Sequence, residues 1–513
     1  MKVNEVKFTT LTHRIVGRPE CFPPRLSTLL GWARSISSTR TSPLLGFYAL
    51  SEMKKVHIQS FGCQMNDYDV ERIVEVMRGR GWEPTEDERA ADLIVLNTCA
   101  IREKAEHKMA SALGRLRPLK QARPDLLLAV GGCVPTLEGE PLLAQLPFVD
   151  FTFGPDAIPR LPALVDEATG GRRRFAAVAF TEVEAYDFLD AAPLPGDVRT
   201  TALVTIQKGC DNDCAYCVVP TTRGPEVSRP AGEVVAEVER FVAAGAREVT
   251  LIGQNVNSYR GLRGGFPELL ARVDAVPGLL RVRFTTSHPK DFDERVADCF
   301  RDLPRLCEWL HLPVQSGSTR VLASMTRTYS REEYLRKIDY VRTVCPDIAI
   351  TTDVIVGYPG ESDDEFGETL SLLERVQYDG IYSFKYSVRP RTPALSLGDT
   401  VPEPRKAERL AALQELQAAI GARRLARFVG RTEEVLVEGE SRHGGQACGR
   451  TRTNYKVNFA LPDGAVLGEW VGRLARLDIV TARAHSLEGR LPAPEAKRRV
   501  SLPVQTARGG TPC

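Results

Sequence analysis

Residues Gly209–Cys217 read GCDNDCAYC, which places Cys210, Cys214 and Cys217 in the spacing C-x3-C-x2-C. Three thiolates on one short loop can hold three irons of a 4Fe-4S cluster, whereas common ferredoxin runs supply a fourth cysteine. No fourth cysteine lies nearby, so one iron of such a cluster is open to a further ligand. A structural zinc knuckle needs four closed ligands, usually as two C-x2-4-C pairs, and no second pair exists here. Three unrelated thiols are the bland alternative, and their tight spacing argues against it.

Outward from this loop the chain alternates strand and helix patterns. Strand-like segments recur as ALVTIQ, EVTLIG, RVRFTT, CEWLHL, ITTDVIV and IYSFKY, with helical stretches such as 232–244 and 363–376 between them. Six successive βα units predict a partial (β/α) barrel over residues 201–427, with functional residues on loops at the carboxyl ends of its strands. The cysteine loop follows the first of these strands. Four more polar strings stand at strand ends: GQNVNSY (253–259), TSHP (286–289), PVQSGS (313–318) and VGYPGE (356–361). Gly, Pro, Ser and Asn also mark ordinary turns, so only their repeated placement carries weight. Tyr216, Gln254, Asn255, Ser287 and Gln315 are candidate contacts to a cofactor or substrate, with turn capping as the competing role. Arg223 and Arg229 could meet a phosphate or a carboxylate, since arginine suits both.

Upstream, residues 53–170 show apolar runs ending at HIQSFG, LIVLNT, LLLAVGG and VDFTFG, with helices at 67–80 and 103–118. That predicts an α/β domain with a small parallel sheet. Cys63, Cys99 and Cys133 follow its first three strands. Parallel strands align their carboxyl ends along one edge, where such folds bind ligands, so three distant cysteines can converge on one site. Position alone leaves two readings open: a second cluster site, or three buried thiols of the core.

Residues 171–200 form a linker, rich in Ala and Pro at AAPLPGDVRT (191–200). The segment 428–490 alternates in short stretches broken by glycine, as in a small β-barrel. Within it, GRTRTNYKVNF (449–459) groups Arg450, Arg452 and Lys456 beside Asn454, Tyr455 and Phe459. These residues read either as an RNA-binding face or as a solvated hairpin. Residues 1–52 carry arginine and serine with few acids, and read as a disordered leader or mis-called start in preference to a transit peptide. The tail 491–513 reads as disordered. Cys21, Cys299, Cys307, Cys345, Cys448 and Cys513 read as core or incidental, and His311 has no metal-like partner nearby.

Bulk properties bound the class. With 513 residues, 43% of them hydrophobic, the chain can bury several cores. A net charge of +2 gives no global argument for nucleic acid, so any RNA contact must be local. No apolar run is long enough to span a bilayer. Twelve cysteines diluted through a chain without a secretion signal suggest reduced thiols and a cytoplasmic or organelle-matrix setting, of which the cytoplasmic one is preferred.

The order of the three blocks resembles the methylthiotransferases, over about residues 54–490: an N-terminal domain with three cysteines, a radical S-adenosylmethionine (SAM) barrel and a TRAM domain. Within it SFGCQMNDYD, LNTCAIREKA, CVVPTTRGPEVSRP and FTTSHP are similar to the MiaB type, which acts on tRNA. Relatives acting on a ribosomal protein usually carry a string closer to LGCPKN at the first cysteine, and those acting on threonylcarbamoyladenosine a GCKVN-like one. GGCVPT at 131–136 departs from the more usual GCMAQ, which keeps the ligand Cys133 but puts its neighbours in question. The resemblance implies two 4Fe-4S clusters, at Cys210/Cys214/Cys217 and at Cys63/Cys99/Cys133, with SAM on the open iron of the first. It implies methylthiolation at C2 of N6-isopentenyladenosine, position 37 of tRNA, with two SAM consumed and sulfur from the auxiliary cluster. It implies a monomer served by an electron donor such as flavodoxin or ferredoxin, with no membrane partner. A methylthiotransferase for the other two substrates and a non-catalytic iron-sulfur RNA-binding protein are the alternatives.

Overall fold

The computed structural model describes residues 53–101, 103–183, 186, 188, 189, 199–442 and 444–492. The leader 1–52, residues 191–198 of the linker and the tail from 493 lie outside the described residues.

The N-terminal domain is one parallel sheet of six strands in the order β2-β1-β3-β4-β5-β6. Its strands are β1 (Lys55–Phe61), β2 (Glu83–Pro84), β3 (Leu93–Thr98), β4 (Leu127–Gly132), β5 (Phe151–Phe153) and β6 (Phe175–Ala177). Every residue of β3 and β4 is buried. Continuous apolar runs are what a parallel sheet covered on both faces requires. The cover comes from α1 (Gln64–Arg78), α2 (Glu103–Ala122), α3 (Cys133–Glu138), α4 (Pro141–Gln145) and α5 (Leu161–Thr169). Strand β6 pairs with β5 beyond residue 170, where the sequence reading placed a linker, so the sheet continues into that segment.

The central domain has six parallel strands in two groups of three. Strands β7 (Thr201–Thr205), β10 (Glu248–Ile252) and β11 (Arg281–Phe284) form one group, in the order β11-β10-β7. Strands β12 (Trp309–His311), β13 (Ala349–Val356) and β14 (Gly380–Lys385) form the other. A parallel bridge between Val282 and Leu306 joins them, and the pair β8 (Gln207–Lys208) and β9 (Val227–Ser228) brackets the cysteine loop. The short α6 (Val219–Arg223) follows that loop. The outer helices are α7 (Ala231–Ala243), α8 (Gly265–Asp274), α9 (Glu294–Asp302), α10 (Thr319–Ser324), α11 (Arg331–Val344) and α12 (Asp363–Val376). Helices α11 and α12 start with full capping boxes, Ser330 with Glu333 and Ser362 with Glu365. Each box satisfies two backbone donors at the helix start reciprocally.

Helix α13 (Glu403–Ala426) leads to a closed barrel of β15 (Thr432–Glu440), β16 (Ala447–Thr451), β17 (Lys456–Phe459), β18 (Leu474–Ala482) and β19 (Leu487–Arg490). This barrel docks at the amino ends of the central strands. Arg281, the first residue of β11, donates to the carbonyls of Arg450 (2.7 Å) and Glu434 (2.9 Å). Arg283 donates to those of Arg452 (2.7 Å) and Thr451 (2.8 Å). The cysteine loops lie at the opposite, carboxyl ends.

Candidate active site

Three strand-to-helix turns of the N-terminal domain deliver Cys63, Cys99 and Cys133. Cys63 caps α1, Cys99 follows β3, and Cys133 opens α3. Two buried asparagines tie the first two of these turns together. Asn66 Nδ2 donates to the Thr98 carbonyl (3.0 Å), Asn97 Nδ2 donates to the Asn66 carbonyl (3.1 Å), and the Cys63 N–H donates to Asn66 Oδ1 (3.3 Å). Gly132 has φ +96, and a Cβ there would stand 2.4 Å from the Thr98 carbonyl oxygen. Only glycine leaves β4 at that angle without a clash, so it aims Cys133 at the other two.

The three thiols interact. The neighbouring Cys99 thiol holds that of Cys63 down at about 6 against burial, with Arg223 and the local backbone assisting. Burial pushes the Cys133 thiol up, opposed by Arg223. The 3.3 Å bond from Arg223 Nε to Cys133 Sγ crosses from the central domain.

The second triad lies on the loop Gly209–Val218. Gly209 has φ +74, and a Cβ there would fall 1.9 Å from the Pro225 carbonyl oxygen. Gln207 pins the loop to the next strand end, accepting from the N–H groups of Gln254 (3.1 Å) and Asn255 (3.0 Å) while donating to the Gly209 carbonyl (3.1 Å). Burial raises the Cys217 thiol to about 12, with Cys214 and Cys210 adding to the rise.

Hydrogen-bond donors of the chain are aimed at these sulfurs. Besides Arg223 on Cys133, the donors are Ile101 N on Cys99 (3.4 Å), Asn212 Nδ2 on Cys210 (3.5 Å), Arg327 Nη1 on Cys214 (3.5 Å) and Val219 N on Cys217 (3.4 Å). His288 adds a further contact. The Lys290 N–H donates to its Nδ1 (3.1 Å), so the ring proton sits on Nε2, 3.7 Å from Cys214 Sγ. Burial, with Arg327 and Lys290 nearby, keeps this ring neutral, its pKa lowered to about 2. Donors aimed at sulfur stabilise thiolates, the form that ligates metal. Among the described residues no three His, Cys, Asp or Glu side chains could hold one metal ion. Three soft thiolates in each set are the ligand type that iron-sulfur clusters take.

The predicted cofactor contacts line the same strand ends. Gln254 Nε2, Asn255 Oδ1 and Ser287 Oγ are buried without a partner among the described residues. An orphaned buried polar atom costs about 1–3 kcal/mol, so a cluster of them points to a ligand. Part of the capping role holds as well: Gln254 Oε1 accepts from the Gly209 N–H (2.5 Å), and Asn255 Nδ2 donates to Asp291 (2.7 Å). Gln315 has φ +73, and its N–H is committed to the Asp353 carbonyl (2.9 Å). Tyr216 packs against an apolar cluster that includes Met325, Tyr358 and Tyr386.

Arg223, Arg229 and Arg452 are turned to carboxylates within the chain. Arg223 is buried on Asp69, and Arg229 is buried against Glu237, so neither faces solvent for a phosphate. Arg452 grips Glu308 through Nε (2.8 Å) and Nη2 (2.7 Å) and donates to the Leu306 carbonyl (2.7 Å). Arg450 pairs with Glu438 (3.1 Å). The cluster read as an RNA face thus puts Arg452 into the seam between domains, leaving Lys456 half-buried on β17. Asn66, Asn97, Gln207, His288 and Arg327 escaped the sequence reading, although all but Arg327 sit inside quoted strings.

Three family models match in chain order: the uncharacterized protein family UPF0004 over residues 55–154, the radical SAM superfamily over 204–373 and the TRAM domain over 426–491. The chain is 50% identical over 412 residues to a protein of Geobacter metallireducens named tRNA-2-methylthio-N(6)-dimethylallyladenosine synthase, covering 79% of this chain and 92% of that one. It is 45% identical over 449 residues to one of the same name from Geotalea uraniireducens, covering 86% and 100%. Among solved structures, the radical S-adenosylmethionine methyltransferase TsrM of Kitasatospora setae superposes with TM-score 0.52 at 14% identity, covering 76% of this chain and 79% of that one. At that identity the likeness speaks for the fold alone.

Proposed function

The chain belongs to the family of tRNA-2-methylthio-N(6)-dimethylallyladenosine synthases, and from that premise we propose how its residues divide the reaction. It is a radical SAM methylthiotransferase that converts N6-isopentenyladenosine at position 37 of tRNA to the 2-methylthio form. The observation that carries this reading is the meeting of two three-cysteine sets at the carboxyl ends of two parallel sheets, joined by the contact of Arg223 with Cys133.

SAM and one 4Fe-4S cluster belong to the radical SAM family; the second cluster is our reading of Cys63, Cys99 and Cys133. An adenine C–H is neither acidic nor electrophilic, so a positioned side-chain base cannot readily open it. When bound, the clusters and SAM supply the 5′-deoxyadenosyl radical that opens it and the sulfur that replaces the hydrogen. Cys210, Cys214 and Cys217 hold the radical-forming side, and the orphaned atoms of Gln254, Asn255 and Ser287 receive the polar groups of SAM or substrate. Gln207 keeps these residues in register with the cysteine loop. Asn66 and Asn97 hold the sulfur-supplying side. A reductant of the flavodoxin or ferredoxin class delivers electrons to a monomeric, cytoplasmic enzyme. Among the described residues no helix is long and apolar enough to cross a membrane.

Nucleoside mass spectrometry of tRNA from a strain lacking this protein tests the reading. Loss of the 2-methylthio mark with the isopentenyl group retained is expected. A retained mark, or loss of a mark on threonylcarbamoyladenosine instead, overturns it.

A further inference from the structure

We propose that Arg223 is a positioning residue that locks the two cysteine sites at a fixed separation and sets the charge felt at the auxiliary one, a role that rests on Cys63, Cys99 and Cys133 being ligands. Its backbone belongs to the radical-forming side, as the last residue of α6, which begins two residues after Cys217. Its guanidinium belongs to the other domain. Nε donates to Cys133 Sγ (3.3 Å), while Nη1 and Nη2 fork onto the Asp69 carboxylate (3.1 and 2.6 Å). Asp69 lies on α1, the helix capped by Cys63. One rigid side chain therefore runs from beside Cys217 to Cys133 and to the helix that carries Cys63.

Stability alone is a poor reason for this arrangement. Arg223 and Asp69 are 6% and 3% exposed, and a buried ion pair often gains nothing over apolar packing of the same volume. Docking of the two domains also has another buried pair, Lys208 with Asp156 (2.5 Å). What Lys208 lacks is a contact to a cysteine. The forked geometry of arginine fixes both orientation and distance, which a lysine cannot do. Sulfur and radical must meet at one adenine carbon, where a 1 Å misplacement can cost about 100-fold. A cation donating to one thiolate also favours the more reduced state of what that thiolate binds.

The test uses full-length anaerobic holoenzyme, with iron content, EPR-monitored redox titration of the auxiliary signal, and 5′-deoxyadenosine released per methylthiolated tRNA. Cys99→Ala first checks the ligand reading: loss of about half the iron supports it, and a full complement sinks that reading separately from the strut. Arg223→Gln should keep its iron, move the auxiliary potential negative and raise 5′-deoxyadenosine per product about tenfold. Asp69→Asn should move the potential the opposite way, since it removes a negative charge, yet uncouple likewise. Arg223→Lys should restore the potential but not the coupling, because charge returns without the fork. If Arg223→Gln does not fold, the Lys and Asn variants decide alone. Potentials and coupling ratios equal to wild type in iron-replete Arg223→Lys and Asp69→Asn enzymes overturn the proposal.

Discussion

A sulfur that will carry negative charge needs donors, and the two triads between them have backbone N–H groups, an asparagine, two arginines and a histidine. Changing Cys210, Cys214 and Cys217 together to alanine should remove half of about eight irons, because each triad is complete without the other. An unchanged iron content in that triple variant would show that the loop is not a ligand set. His288→Leu is subtler. It removes the Nε2–H beside Cys214 while keeping much of the buried volume, so the cluster should stay and its potential should move negative in an EPR-monitored titration. An unmoved potential would reduce the ring to packing. The cysteines stood out in the sequence by their tight spacing or their strand-end positions. The donors were not, since nothing local in the sequence says that His288 meets Cys214 across 74 residues.

Strands and helices set where those residues stand, and two glycines make the turns possible. Gly132→Ala and Gly209→Ala each place a Cβ inside van der Waals contact of a carbonyl oxygen at positive φ. The left-handed conformation alone costs about 1–2 kcal/mol for a residue with Cβ, before the clash is counted. Each change should therefore cost iron at its own triad only, about half the total, with the EPR signal of the other triad retained; loss of both signals would mean that the sites fold as one unit. The elements themselves were largely legible. Long apolar runs such as LIVLNT and the SREE and SDDE starts of α11 and α12 fix their own structure. Strands β2 and β6 were missed because two and three residues carry no periodicity, and they exist only as edges for β1 and β5.

At the scale of the whole molecule, the C-terminal barrel stands at the amino ends of the central strands and the chemistry at their carboxyl ends. The strands between span five or so residues, about 17 Å at the usual rise, with loops beyond. An RNA that touches both must run along the flank of the central domain, and on our reading the barrel would then meet the tRNA body while the reacting base is read elsewhere. That separation divides Arg452 from Lys456. Arg452 is held by Glu308, and Arg452→Ala should loosen the barrel: proteolysis near α13 should quicken, and the tRNA KM should rise with kcat spared. Lys456 has no such grip on the central domain, and Lys456→Ala should leave proteolysis unchanged while lowering the salt slope of tRNA binding by about one. Both changes remove binding common to ground and transition states, which is why KM moves and kcat does not. An Arg452→Ala enzyme with wild-type protease resistance and a reduced salt slope would instead place this arginine on the phosphates.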